Sequence, residues 1–239
     1  MSVGIAGITN VALCHQAIQR AFAREAHLPG MAVFYGPSGY GKSVAASFAA
    51  NKFDAVYVEC KSCWTRKAFL EAVQKAMGMK FGKNMSDMVD QIAEELAKSN
   101  RPLIIDEFDH LVERNWVEIV RDIYEASQGT ILLIGEEQLP KKLQRWERFH
   151  GRILDFFPAQ PVSLVDIEEL KKIYAGNLVI EQALIEKLHA TCKGSARRAC
   201  VNLDRIREFA HQAGTGTVTV ADWGDRDFFT GEAPRRRIA

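Results

Sequence analysis

The sequence predicts an α/β protein built on a mostly parallel sheet and followed by a small helical domain. Three observations predict it. Short apolar runs alternate with amphipathic helical segments through the first two thirds of the chain. A glycine-rich octapeptide, GPSGYGKS at 36–43, sits between an apolar run and an Ala-rich stretch. Beyond Pro158 and Pro161, helical periodicity dominates.

The elements follow in order. MAVFY (Met31–Tyr35) reads as a buried parallel strand, too apolar to have a wet face. Val44–Asn51 is Ala-rich and continues as a helix. AVYVE (Ala55–Glu59) is a second strand. Thr65–Gly78 carries Phe69, Val73, Ala76 and Met77 at helical spacing, and Gly78 stops it. A further helix opens at Ser86, with Met88, Ile92 and Leu96 recurring every fourth residue. PLIID (Pro102–Asp106) is a third strand. One continuous helix is expected over Val112–Ser127, with Trp116, Val120, Ile123 and Tyr124 on one side. TILLIG (Thr130–Gly135) is the most strand-like stretch, and RILDFF (Arg152–Phe157) is a fifth strand. Ala199, Leu203, Ile206 and Ala210 then mark a helical bundle over 162–212, and Thr217–Val220 is a candidate short strand. The expected division is an α/β domain over 1–160, a helical domain over 161–213, and an extension over 214–239 that ends in Arg235, Arg236 and Arg237.

Composition sets the class. The 239 residues are 47% hydrophobic and 26% charged, as in a soluble globular protein with a full core. A net charge of +1 demands no polyanionic partner, so any nucleic-acid surface must be a local patch. No apolar run approaches the ~18 residues of a membrane span. The N-terminus lacks the basic and apolar regions of a secretory signal. Five cysteines, an odd number without framework spacing, fit a reducing cytoplasm. Cys60 and Cys63 form one C-x-x-C. A zinc site would need two more ligands, and redox use or plain buried thiols remain open.

GPSGYGKS is G-x-x-x-x-G-K-[ST], and the chemistry needs each fixed position. Gly36, Gly39 and Gly41 let backbone N–H groups of the loop Gly36-Pro37-Ser38-Gly39-Tyr40-Gly41 turn inward around a phosphate. Lys42 reaches the β- and γ-phosphates, and the Ser43 hydroxyl ligates Mg²⁺. The helix continuing through Val44 points its positive end at the same anion. The pattern therefore predicts ATP and Mg²⁺ as cofactors. LIIDE (Leu103–Glu107) supplies the complement. A buried strand ending in Asp106 holds a carboxylate for the Mg²⁺ water shell, and Glu107 can polarise an attacking water as general base. Asp109 extends the acidic cluster, as a structural or a metal-adjacent group.

Together these motifs resemble the AAA+ ATPases, whose P-loop and acidic strands are separated by another strand and whose sheet carries a helical lid. The resemblance covers residues 8–212. KGSARRA (Lys193–Ala199) resembles the lid signature G-x-x-R, which gives Arg197 the role of γ-phosphate sensor, with Arg198 as the fallback. RWERFHGRI (Arg145–Ile153) lies where the family carries an arginine finger. Arg152 is the first choice and Arg148 the second, because an arginine is always charged and donates a forked pair of hydrogen bonds. The residue after the fourth strand is normally a hydrogen-bond donor. Here it is Glu136, followed by Glu137 and Gln138, and an ionised glutamate cannot donate. Either Gln138 substitutes or Glu136 works through a water or a Lys/Arg partner, a departure that bears on hydrolysis rather than nucleotide binding.

Within that class, GEEQLPKKLQRWERFHGRI resembles the G-(Q/N)-x-x-L…RI run of transposition ATPases of the phage Mu B and TnsC type and their secretion-associated ExeA relatives. The opening segment from Ile8 to Ser43 is similar to the start of the Mu B-type ATPase. That likeness places Thr9, Asn10 and Val11 beside the adenine, although Thr9 or Asn10 is also an ordinary helix cap. The resemblance implies a weak, partner-stimulated ATPase that forms homo-oligomeric filaments on double-stranded DNA and presents it to a phage-type transposase. The alternatives are a helicase loader or replication initiator, and a non-DNA ATPase of the ExeA kind. The chain opens almost directly at the ATPase, so DNA contact is expected from that module. Lys61, Arg66 and Lys67, after the second strand, are the expected phosphate contacts, with Lys80 and Lys83 in reserve. A solvated helix start is the plain alternative.

Overall fold

The computed structural model describes residues 6–233, so the Arg235–Arg237 tail lies outside the described residues. The chain forms two compact units. Among the described residues, the larger takes in 10–38 and 42–159; the smaller takes in 6–9, Gly39–Gly41 and 160–233.

The larger unit runs α1 (Thr9–Phe22), β1 (Met31–Tyr35), α2 (Lys42–Phe53), β2 (Val56–Glu59), α3 (Arg66–Ala76), α4 (Met85–Ser99), β3 (Leu103–Asp106), α5 (Asp109–Glu113), α6 (Val117–Ser127), β4 (Ile131–Gly135), α7 (Leu139–Leu143), α8 (Glu147–His150) and β5 (Ile153–Pro158). Its five strands are parallel, in the order β2-β3-β4-β1-β5. The P-loop strand and the acidic strand are thus separated by β4. Side chains alternate across the sheet. Met31, Val33, Val56, Val58, Leu103, Ile105, Ile131 and Leu133 join one core cluster with residues of α3, α4 and α6. Ala32, Phe34, Ile104, Leu132 and Ile134 are equally buried and point the other way. With both faces covered, the strands need continuous apolar runs.

Local signals fix the helix ends. Thr65 caps α3 by accepting the Ala68 N–H, Asn84 caps α4 in the same way, and Asn100 closes α4 in the left-handed conformation. The single helix expected over 112–127 is two helices. Asn115 adopts φ 59, and the Trp116 N–H turns back to Leu111 O at 2.8 Å. The left-handed residue breaks the i→i−4 ladder. The apolar periodicity hid the break because Trp116 still packs on the core.

The smaller unit holds α9 (Leu164–Tyr174), β6 (Val179–Ile180), α10 (Gln182–Cys192), α11 (Ala196–Ala213), β7 (Thr217–Val218) and α12 (Val220–Trp223). It is not purely helical over 162–212: β6 and β7 pair in a two-stranded parallel sheet. A two-residue strand carries no readable alternation, so β6 left no mark in the sequence. Ser163 and Asp166 form a capping box on α9. Asn202, fully buried on α11, donates to Phe229 O at 3.0 Å and accepts the Phe229 N–H at 2.7 Å, tying the following segment to the helix.

Candidate functional site

β1 ends at Tyr35 and α2 begins at Lys42, so the loop between them is six residues long. Gly39 and Gly41 take φ 84 and 85, the left-handed region open to glycine at little cost. These turns deliver the chain to the head of α2, where Ser43 and Val44 are exposed. The Lys42 ammonium donates to the loop carbonyls of Gly36 (2.7 Å) and Pro37 (3.0 Å). Burial lowers its pKa, while Glu107, Asp106, Asp109 and Glu136 pull it upward. Lys42 thus sits in the field of four carboxylates.

Asp106 ends β3 and is 1% exposed. Its Oδ1 accepts the Glu107 N–H at 2.8 Å, and its Oδ2 accepts the Tyr57 hydroxyl at 2.9 Å. Glu107 takes φ 53, a left-handed conformation that a non-glycine residue holds only at a cost. Burial raises its carboxyl pKa, and neighbouring Asp106 adds to the rise.

Behind this pair lies a network at the end of β4. Asp109 is 3% exposed. It accepts the Glu136 N–H (2.7 Å) and the Lys142 ammonium (2.7 Å), while Lys142 also lies 3.7 Å from Glu136 Oε2. A side chain at Gly135 would overlap Asp109 and come within 2.6 Å of Leu139 Cδ2. Asp109 is therefore structural in this arrangement, and Lys142 is the cationic partner of Glu136.

The donor set suits magnesium. The Ser43 hydroxyl and the Asp106 carboxylate are hard oxygen ligands. Four carboxylates against the two ammoniums of Lys42 and Lys142 also leave a negative excess that a divalent cation would offset. The position is right too: ligands of open α/β sheets bind beyond the carboxyl ends of the strands, where β1, β3 and β4 deliver Lys42, Asp106 and Glu136.

The other expected residues fall as follows. Thr9 donates through N and Oγ1 to Asp166 Oδ1, at 2.6 and 2.9 Å. Asn10 and Val11 are buried in α1. Arg197 is exposed and its N–H bonds to Gly39 O, within the smaller unit, at 3.0 Å. Arg198 lies against Gly231. Arg148 and Arg152 line one open cleft with Arg121, Glu125 and Glu147, and Arg152 is ion-paired with Glu125. Lys67 is paired with Glu71 at 3.7 Å. Lys61 stands over the Trp64 ring, and Arg66 and Arg114 both approach the Trp116 ring, at 5.9 and 5.1 Å. Cys60 is buried and Cys63 exposed, and neither falls in a metal-holding group of three or more among the described residues.

Tyr57, Lys142 and Asp166 were not expected at all. Only Tyr57 left a trace, since strand alternation puts it on the face of β2 that matches Asp106 on β3.

A family described as AAA domain matches residues 24–143, half of the sequence, including the phosphate loop, β3 and β4. The chain belongs to the AAA domain family. Several archaeal proteins share the fold of this AAA chain. The ORC2 protein of Aeropyrum pernix, solved in ADPNP–ADP complexes, superposes with a TM-score of 0.67 at 18% identity, covering 93% of this chain and 68% of that one. The ORC1 protein of the same organism, solved with DNA, gives 0.60 at 18% identity, covering 90% and 63%. CDC6P of Pyrobaculum aerophilum gives 0.64 at 14%, covering 89% and 64%. The chain thus spans about two thirds of the length of these proteins, and the likeness is one of fold. No curated protein matches it in sequence. No helix among the described residues is long and apolar enough to cross a membrane.

Proposed function

We propose that this AAA chain binds ATP with Mg²⁺, hydrolyses it, and uses the cycle to engage and release double-stranded DNA as a homo-oligomer. One observation carries the nucleotide chemistry: the P-loop ammonium of Lys42 lies in the field of Asp106 and Glu107, at the end of a strand that β4 separates from the P-loop strand. Lys42 leaves the carbonyls of Gly36 and Pro37 to neutralise charge on the phosphates. The Gly36–Val44 backbone cradles them. Ser43 and Asp106 would hold the metal, which would supply positive charge to offset that of the phosphates. Glu107 orients and deprotonates the attacking water. Glu136, tied to Lys142, is a poor donor to the γ-phosphate, which supports slow hydrolysis. Arg197 senses the nucleotide from the Gly39 side of the loop, and Arg152 or Arg148 serves a neighbouring protomer. Thr9, Asn10 and Val11 stand by the base, with Thr9 fixed by Asp166.

Two readings of the biological task share this chemistry. The fold likeness to ORC and CDC6 proteins supports a replication-initiator or helicase-loader role in the cytoplasm, and the free cysteines suit such a compartment. The second reading, delivery of target DNA to a transposase, is supported by the TN-V opening and the G-x-x-x-L…RI run. Electron microscopy with duplex DNA, with and without a non-hydrolysable ATP analogue, tests the shared claim. ATP-dependent assemblies on DNA are expected. Nucleotide binding without any DNA association would remove the DNA role. Disassembly on adding a transposase, rather than capture of a helicase, would favour the second reading.

A further inference from the structure

Asp106 must present its carboxylate in one orientation, yet it is the last residue of its strand. The Glu107 N–H holds Oδ1, and the hydroxyl of Tyr57 holds Oδ2 from the neighbouring strand. Register explains the reach. Tyr57 pairs with Ile104 and Glu59 with Asp106, so Tyr57 lies diagonally behind Asp106 on the same face. We propose that Tyr57 is the positioning residue for the metal-holding carboxylate: its hydroxyl fixes the rotation of the Asp106 side chain and thereby sets how tightly magnesium is held with the nucleotide.

Tyr57 suits that work. A phenolic O–H has an ordinary pKa of about 10, so it is a neutral donor at physiological pH. An aromatic ring held in a strand is also a stiff support, with two side-chain torsions to fix. The inference rests on the nucleotide site above. It adds that a residue outside both phosphate motifs governs the metal half of binding.

The test compares binding of a fluorescent ATP analogue, without metal and across a magnesium titration, in wild type, Tyr57→Phe and Cys60→Ala. Cys60 is a packing control, because it is buried beside β3 and its N–H bonds the Asp106 backbone carbonyl rather than the carboxylate. Tyr57→Phe should keep the metal-free affinity and raise the magnesium half-saturation about 10-fold, within the range for residues that orient metal ligands. Cys60→Ala should leave the magnesium titration unmoved whatever it does to the melting temperature. A Tyr57→Phe titration that overlays wild type overturns the positioning role and leaves the nucleotide site standing. Wild type without any magnesium effect overturns both.

Discussion

Lys142 donates to Asp109 Oδ1 at 2.7 Å, joining α7 to the start of α5 through a carboxylate that is almost wholly buried. The pair pins the turn after β4, because the other Asp109 oxygen holds the Glu136 N–H. Lys142→Met leaves Asp109 Oδ1 short of a donor and should cost about 1–3 kcal/mol of stability. The bond to Asp109 is the main cause of the raised Lys142 pKa. The pair's contribution is therefore complete below the unfolded lysine's pKa and is lost only as pH rises through the higher folded value. The melting-temperature gap between wild type and Lys142→Met should stay flat over about pH 6–9 and shrink only in strong alkali. A gap that closes in mild acid would contradict the pairing.

Glu107→Gln keeps the shape and removes the proposed base. Hydrolysis should fall by about 10²-fold or more, while ATP affinity holds and nucleotide-dependent DNA complexes persist longer. Burial raises the Glu107 pKa. The acid limb of the rate profile should therefore lie above the ordinary glutamate range, since the rate is lost as the base takes up its proton. Single-turnover hydrolysis across pH measures both effects.

The phosphate loop, the acidic strand and all five sheet strands were legible in the sequence. Each depends on local pattern: glycines at fixed spacing, or apolar runs short enough to be strands. The Gly78 stop was equally plain, whereas the helix expected to open at Ser86 starts at Met85 behind the Asn84 cap. What stayed hidden depends on contacts between distant residues. Alternation gives the face of β2 that carries Tyr57, but not that its hydroxyl meets Asp106, 49 residues on. Lys142 looked like one more surface lysine in LPKKL. Asn115 broke a helix that its apolar neighbours seemed to continue. The left-handed φ of Glu107 is equally silent, because the acidic motif specifies the side chain and not the backbone.

Asp166 ties two segments of the smaller unit. It accepts from Thr9 N and Oγ1 and from Ser163 N and Oγ. Burial works against its ionisation, but the bonds from Ser163 and Thr9 outweigh it, and its pKa is lowered. Its stabilisation is thus present above the unfolded aspartate pKa and lost as pH falls through the lower folded value. Asp166→Ala should cost about 1–2 kcal/mol near neutrality, as for a lost helix cap. The difference from wild type should vanish in strong acid. Thermal melts at the two extremes check it, and a pH-independent difference would contradict the charged cap.

The candidate DNA contacts are unequal. Lys67 is partly neutralised by Glu71, whereas Lys61 and Arg66 have no ion pair among the described residues. Lys61→Glu and Arg66→Glu should each flatten the salt dependence of duplex binding by about one unit of slope or more. Lys67→Ala should change it less. No effect at any of the three positions would show that DNA lies on another face, and a full effect at Lys67 would show that its pairing with Glu71 does not weaken it as a contact. Fluorescence anisotropy over a salt series gives the slopes.

Isothermal titration with ATP and magnesium measures most directly whether Lys42 and Asp106 hold a nucleotide. Wild type should show saturable one-to-one binding that needs magnesium for full affinity, and Lys42→Ala should show none while remaining folded. No binding by folded wild type, or undiminished binding by Lys42→Ala, would contradict the assignment of this loop as the nucleotide site.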